Sequence, residues 1–461
     1  MMTKFSKLIE PKLQIPEERK RFTNRQLLAI IIPIIIEQFL IQLVGLADTL
    51  MISYAGEEAI SGVALVDQVN IIFVYIFTAV AAGGAVVAGQ YIGSKNREMA
   101  CRAASQLMLM ITLIAVGCTA LTFFGGDAII SGLFRSAEPG VKAAGLLYLR
   151  ITAFSYPFLA VYNASAALFR SMGRTRTIMY VSLLMNSINV IGNAIGIFAL
   201  HAGVAGVAYP TLISRMAAAV VMASLALNRN LPVHLRLRDI IHWEGSMMRR
   251  IFRIALPGGI ENGMFQFSKV VLTGVVSTFG TTQIAAYGVA QSFWAMSALF
   301  SLSMGPAFMT VVAQYMGAGD PEGADYYMKK ILRITYVGTA IWSSAFLLLT
   351  PFVLSFYSLT DAAAHLVIII IVLHNVVNAT VSPSAFSLSN GLRAAGDVRY
   401  VLAASIISTI GVRVVLAFLF CLVFRWGVIG LTLAMICDWY IRAVLIVTRW
   451  RRGKWKTLKV I

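Results

Sequence analysis

Three polar residues fall at nearly the same depth in three apolar stretches of this sequence, and a fourth lies one turn away. Asp48 lies about 6 residues from the outer end of the first stretch, Asn193 about 7 from that end of the fifth, and Thr211 about 8 into the sixth. A helical rise of 1.5 Å per residue places them roughly 10 Å below the edge of the hydrocarbon. Asn189 lies one turn from Asn193 on the same helix face. Their oxygens could bind a monovalent metal cation such as Na⁺, or Asp48 could take up a proton; the alternative is a hydrogen-bond cluster that only holds helices together.

Two glutamates recur at matching positions in the two halves of the sequence. Glu37 follows Pro33 by four residues, and Glu261 follows Pro257 by four. Either they have a structural role at the turn that proline loosens, or they line a substrate or proton site open to the cytoplasm. Lys269, two turns beyond Glu261, could pair with an acid of a neighbouring helix.

Other polar residues in apolar surroundings are candidates for a substrate cavity. Asp67, with Gln68 and Asn70, is a cavity-facing candidate in the second stretch. His374 could titrate near neutrality, or it could be a packing histidine whose hydrogen bonds are satisfied. A structural ion-pair cluster is expected among three charged residues of the last two stretches: Asp438, Arg442 and Arg413.

The composition indicates a membrane protein without enzymatic motifs. Of 461 residues, 59% are hydrophobic and 13% charged, and the mean hydropathy is +0.79. No phosphate-binding loop or catalytic set is present, and the four cysteines lack metal-site spacing, so we expect no catalytic residues and no cofactor besides the coupling ion. Apolar stretches long enough to span a bilayer occur at 27–54, 60–92, 101–124, 143–168, 178–200, 203–228, 251–279, 284–316, 331–357, 362–391, 398–423 and 427–449.

The sequence repeats itself with an offset of about 224 residues. Pro33 with Glu37 returns 224 residues later (257 − 33 = 224), as do Gln90 and Gly93 within Ala88–Gly93 (314 − 90 = 224). Arg170–Gly173 returns at an offset of 223, and Gly203–Gly206 at 224. The fold prediction is therefore an all-α polytopic protein with twelve transmembrane helices, arranged as two homologous six-helix bundles around a pseudo-twofold axis along the membrane normal.

The net charge of +18 is explained by its distribution among the loops. Lysine and arginine concentrate at the two ends and in alternate loops, which is the positive-inside pattern with both termini cytoplasmic. We therefore expect a multi-pass inner-membrane protein that contacts the lipid bilayer and does not bind nucleic acid. No cleavable signal peptide is evident. The predicted divisions are a basic amino-terminal segment, a first lobe, a cytoplasmic linker, a second lobe and a basic tail: 1–26, 27–228, 229–250, 251–449 and 450–461.

The sequence resembles the MATE (multidrug and toxic compound extrusion) family of transporters over nearly its whole length. The resemblance is carried by Pro33 to Ala47-Asp48-Thr49, Ala88–Gly93, Leu168–Gly173, and Asn189–Asn193 with Gly203–Gly206, together with their second-half copies. It implies an antiporter that exports small organic cations or amphipathic drugs in exchange for H⁺ or Na⁺ by rocking of two lobes, and we expect a monomer. It also implies that the family's amino-half cation site corresponds to a set found independently by depth: Asp48, Asn189, Asn193 and Thr211.

Some positions depart from the family pattern. Asn193 stands where many members have aspartate, so the site lacks one charge. Phe265, and Ser382 with Pro383, occupy regions where the NorM branch carries acids, so the DinF-like branch is the better comparison. The alternative function is a flippase for lipids or lipid-linked oligosaccharides, whose cavity would be more basic; Lys269 and Arg413 are compatible with it.

Overall fold

The computed structural model describes residues 9–461, except 13, 136, 356 and 358. Every regular element in this part of the chain is helical, as predicted. The helices of the first half are α1 (Asn24–Ser53), α2 (Glu57–Gly93), α3 (Arg97–Leu133), α4 (Pro139–Ala153), α5 (Tyr156–Ser171), α6 (Thr175–Ala194), α7 (Ala205–Ala226) and α8 (Leu237–Ile241). Those of the second half are α9 (Gly245–Val276), α10 (Thr281–Ser303), α11 (Gly305–Gly317), α12 (Pro321–Leu354), α13 (Asp361–Thr380), α14 (Leu388–Ala394), α15 (Val398–Ile406), α16 (Val415–Phe418) and α17 (Gly427–Arg451).

Most of these helices are long and apolar enough to cross a membrane. Within the described residues, ten helical segments meet that condition by length and composition, and the bent pair α4 and α5 makes an eleventh. The 32-residue α9 is also long enough, but Glu261 and Lys269 make it more polar. With α9 included, each half contains six helical segments of membrane length, and the protein is a multi-pass membrane protein.

Several of the predicted spans are interrupted, among them two that contain proline at the break. The span predicted at 143–168 is a pair of helices bent by 47° between α4 and α5, with Pro157 in the first turn of α5. The span predicted at 362–391 passes through a π-helical turn at Pro383–Ser387. Proline lacks an amide hydrogen and clashes with the preceding turn, which accounts for the break and the widening at these two places.

The described residues divide into two compact units. The N-lobe consists of Asn24–Gly259, and the C-lobe consists of Ile260–Val460 together with the described residues that precede Asn24. The boundary after Gly259 lies inside α9, two residues beyond Pro257. The amino-terminal segment is thus joined in sequence to one lobe and packed with the other.

The amino-terminal segment is held to the C-lobe by ion pairs and tyrosine hydroxyls. Arg19 pairs with Asp320, and Lys330 pairs with Glu10. The Tyr315 hydroxyl donates to the Arg19 carbonyl at 2.9 Å. Lys330 is only 3% exposed, so its pairing with Glu10 satisfies a buried charge.

The linker between the two halves packs on α3 of the N-lobe in a similar way. Arg97 donates to the carbonyl of Leu231 at 2.9 Å. The Gln106 side-chain amide donates to the carbonyl of His242 at 2.6 Å and accepts from the Glu244 amide at 3.0 Å. These bonds satisfy backbone groups of a segment that has few of its own.

Candidate ion and substrate sites

The three residues that the sequence places at one depth, and Asn189 one turn away, meet in the N-lobe. Asn193 Nδ2 donates to Asp48 Oδ1 at 2.7 Å. The hydrogen-bond pattern around Asn189 assigns its Nδ2 to the Asp48 side, at 2.9 and 3.2 Å from the two carboxylate oxygens. Its Oδ1 then accepts from the Thr211 hydroxyl at 3.2 Å. Both amides therefore direct donors at a single carboxylate.

This geometry depends on a close approach between α7 and the end of α6, including the π-helical turn Ile195–Ala199 that continues α6. A Cβ added at Gly196 would lie 2.2 Å from the carbonyl oxygen of Gly206, and one at Gly192 would lie 2.7 Å from Pro210. Only glycine allows the two backbones to come so near. The contact brings Thr211 beside the helix that carries both asparagines.

The donor set is compatible with a small cation or a proton. Asn193 is fully buried, and its Oδ1 has no hydrogen-bond partner in the described part of the chain. A protonated Asp48 could donate to such an acceptor, and Na⁺ could be coordinated by it together with Asp48 and Thr211. Only one carboxylate belongs to this cluster, so the cluster would offer a single negative charge to either ligand.

The sequence analysis overlooked a charged residue close to this cluster. Arg215 lies one turn beyond Thr211 on α7 and donates to Ser155 Oγ at 2.7 Å. It could have been found as an arginine inside an apolar stretch, the same criterion that selected Asp48. Arg215 adds a positive charge to a lobe in which all the charged candidates chosen from apolar stretches were acids.

The Asp67 group forms a separate hydrogen-bonded chain. Asn70 Nδ2 lies 3.4 Å from Asp67 Oδ1, and Asn70 Oδ1 accepts from the Tyr156 hydroxyl at 2.6 Å. Asp67 and its neighbour Gln68 are exposed on the protein surface, whereas Asn70 is buried. The structure thus leaves Asp67 accessible and ties Asn70 to the interior.

Glu37 and Glu261 form equivalent ion pairs in the two halves. Arg170 Nη2 lies 2.9 Å from Glu37 Oε1, and Arg393 pairs with Glu261. The glutamates are 224 residues apart and the arginines 223 (261 − 37 and 393 − 170), so the repeat preserves the pair as well as the residues. Glu261 also accepts from Ser405 Oγ at 2.7 Å. This geometry favours the structural alternative for both glutamates.

The remaining candidates lie in the C-lobe. Arg413 and Asp438 form a fully buried ion pair, and Arg442 Nε lies 3.9 Å from Asp438 Oδ1, as the predicted cluster requires. The pairing predicted for Lys269 is wrong: in the described part of the chain no carboxylate lies within 4.0 Å of its ammonium group, which faces aromatic rings instead. His374 is buried and stacked on Trp439 with ring centroids 5.9 Å apart.

Comparison with known proteins agrees with the duplicated helical architecture. The family model MatE matches residues 33–195 and 257–419, one segment in each half. The uncharacterized transporter YisQ of Bacillus subtilis is 24% identical over 431 residues, which cover 92% of this chain and 93% of that protein. The probable multidrug resistance protein NorM of Thermotoga maritima is 26% identical over 463 residues, covering 98% and 96%. A structure of a multidrug resistance MATE family transporter in an outward-facing conformation matches with a TM-score of 0.86 at 20% identity, covering 97% of each chain.

These likenesses define the class of protein. The fold is that of MATE transporters, with two six-helix lobes. The chain belongs to the MatE family, because the family model covers most of both halves. It is a membrane transporter and not an enzyme. Its assignment to the DinF-like branch stays a prediction.

Proposed function

We propose that this protein is a secondary active antiporter that exports organic compounds in exchange for H⁺ or Na⁺. Family membership and the multidrug resistance names of its relatives support export of small compounds over the flippase alternative. The proposal extends to an orientation with both termini in the cytoplasm, to action as a monomer, and to amphipathic and cationic compounds as the first cargo to test.

The observation that carries the proposal is the Asp48 cluster. Asp48 is the single carboxylate of this cluster, and the amides of Asn189 and Asn193 donate to it. A proton or Na⁺ would neutralise the carboxylate. At least one amide would then have to turn its oxygen, and not its NH₂ group, toward the bound ion or proton. Such a local change can drive export only if the ion and the cargo favour different conformations of the transporter.

The test is transport in reconstituted vesicles. Efflux of a fluorescent cationic dye is measured under a proton gradient alone and under a sodium gradient alone, for the wild type and Asp48→Asn. We expect gradient-driven efflux in the wild type and its loss in the variant, because asparagine can neither take up a proton nor supply a negative charge to Na⁺.

Asp127→Asn is the matched control for this variant. It makes the same chemical change at an exposed carboxylate that pairs with Arg150 at 2.7 Å. Surface pairs contribute about 0–1 kcal/mol, so we expect efflux to be retained. Gradient-driven efflux that survives in Asp48→Asn would refute the coupling role, and no efflux of any dye by the wild type would count against export itself.

A further inference from the structure

The C-lobe carries two basic side chains at positions that match neutral residues of the N-lobe near Asp48. Arg413 stands 224 residues after Asn189, the amide that faces Asp48 (413 − 189 = 224). Lys269 lies on α9, the second-half counterpart of α1, at the position matching Gly45 (269 − 45 = 224). Gly45 is three residues before Asp48 on α1. Where the N-lobe has Gly45 and Asn189, the C-lobe therefore has two basic side chains.

These basic residues belong to a continuous aromatic cluster. The Lys269 ammonium lies 5.3 Å from the ring centroid of Phe265 and 5.8 Å from that of Trp294. Arg413 lies 5.0 Å from the same Phe265 ring. The Trp294 ring is 6.1 Å from Trp439, on which His374 stacks. We call this set the basic aromatic cluster: Phe265, Lys269, Trp294, His374, Arg413 and Trp439.

One charge in this cluster has no carboxylate partner. Asp438 neutralises Arg413, whereas in the described part of the chain no carboxylate pairs with Lys269, whose ammonium group lies over two aromatic rings. A lysine within a membrane span is costly, and cation–π contacts offset only part of that cost. A bound anion would remove the remaining cost.

The hydrogen-bond pattern also indicates an acceptor as ligand. Nε1 of Trp294 and Nε1 of Trp439 are buried with no hydrogen-bond partner in the described ranges, whereas the unpartnered Nε of Arg413 lies beside Asp438, whose two oxygens are also unpartnered. The two indole groups can only donate. Both ring nitrogens of His374 are equally unpartnered, although this side chain is only 3% exposed. Carboxylate and phosphate oxygens are the acceptors that such a set would bind.

We propose that the basic aromatic cluster binds an aromatic organic acid, with its carboxylate or phosphate at Lys269 and its rings against Trp294 and Phe265. The site is approached from the half-exposed Lys269, whereas Arg413 and Trp439 form its buried wall. This inference rests on the proposed export function and names a cargo class for it: aromatic anions, and zwitterions that carry an acidic group.

The experiment compares two dyes that share a xanthene ring system but differ in charge. Fluorescein is anionic at neutral pH and rhodamine 123 is cationic, and binding of each to protein in phosphatidylcholine nanodiscs is followed by fluorescence anisotropy, with empty nanodiscs as blank. We expect Lys269→Gln to weaken fluorescein binding about tenfold or more, as loss of a charge-assisted bond does. Rhodamine 123 binding should not weaken, and Lys269→Arg should restore fluorescein binding.

Lys269→Gln is a suitable variant because Lys269 makes no ion pair that the fold needs, and its thermal unfolding midpoint should stay near the wild-type value. Equal fluorescein affinity in wild type and Lys269→Gln would overturn the proposal. Competition by phosphatidylglycerol added to the nanodiscs would also overturn it, because the acceptor would then be a lipid headgroup. Failure of fluorescein binding alongside gradient-driven efflux of the cationic dye would reject this site and leave export standing.

Discussion

At the scale of single residues, Asn193 determines the charge of the proposed ion site. Asn193 places an amide 2.7 Å from Asp48 Oδ1, where a second carboxylate would give the site two negative charges. With one carboxylate and two donating amides, Asp48 is satisfied without a bound cation. Sodium must therefore compete with hydrogen bonds that the protein already makes.

The variant Asn193→Asp should increase the sodium dependence of efflux. A second carboxylate about 4 Å from a bound cation strengthens the attraction by about 4 kcal/mol at an effective dielectric constant of 20. Protonation of one of the two neighbouring carboxylates removes part of this gain. We expect the sodium concentration for half-maximal efflux to fall by about tenfold or more. The measurement is vesicle efflux over a sodium titration at fixed pH, with Asn186→Asp on the same helix as control. An unchanged sodium response would contradict a cation site at Asn193.

At the scale of helices, the site depends on the close approach between the backbone of α7 and the backbone at the end of α6. The contact at Gly196 and Gly206 leaves no room for any side chain. The variant Gly196→Ala should therefore destabilise the protein by about 1–3 kcal/mol, the usual cost of overpacking, and weaken gradient-driven efflux by displacing Thr211. Gly117→Ala on α3 is the matched control, since a Cβ there meets nothing within 4 Å. Thermal unfolding midpoints of both variants decide the matter, and equal midpoints would show that the close approach is not required.

The sequence predicted the helices and the members of the proposed ion site better than it predicted which charged side chains pair with each other. Hydropathy and the repeat indicated six spans per half, and depth selected Asp48 with Asn193 and Thr211, because all of these follow from helical rise and apolar length. Depth gives no rotation about the helix axis, so it could not pair Glu37 with Arg170. It also left Lys269 with a wrongly predicted acidic partner.

At the scale of the whole molecule, the amino-terminal segment packs with the C-lobe, although in sequence it directly precedes the N-lobe. Its outer attachment is the pair between Arg19 and Asp320, whose carboxylate also accepts from the Gly323 amide at 2.9 Å and so caps α12. Partial burial opposes ionisation of Asp320, but the hydrogen bonds from Arg19 and Gly323 and the charge of Arg19 outweigh it and lower the pKa of the carboxyl below 3.8. The attachment is therefore complete at neutral pH and is lost as the pH falls below about 3.8 toward the lower value of the folded protein.

Two variants separate the attachment from the helix cap. Arg19→Gln removes only the ion pair, so amide hydrogen exchange should rise a few-fold in residues 14–23 and stay unchanged at the start of α12, because such surface pairs contribute about 0–1 kcal/mol. Asp320→Ala removes the cap as well, and exchange should rise in both places, since a lost cap costs about 1 kcal/mol. Acidification below pH 3.8 should release the segment progressively in the wild type and have a smaller effect in Arg19→Gln, after correction for intrinsic exchange rates. If residues 14–23 exchange equally in all three proteins at neutral pH, then Glu10 and the tyrosine contacts hold the segment without Arg19.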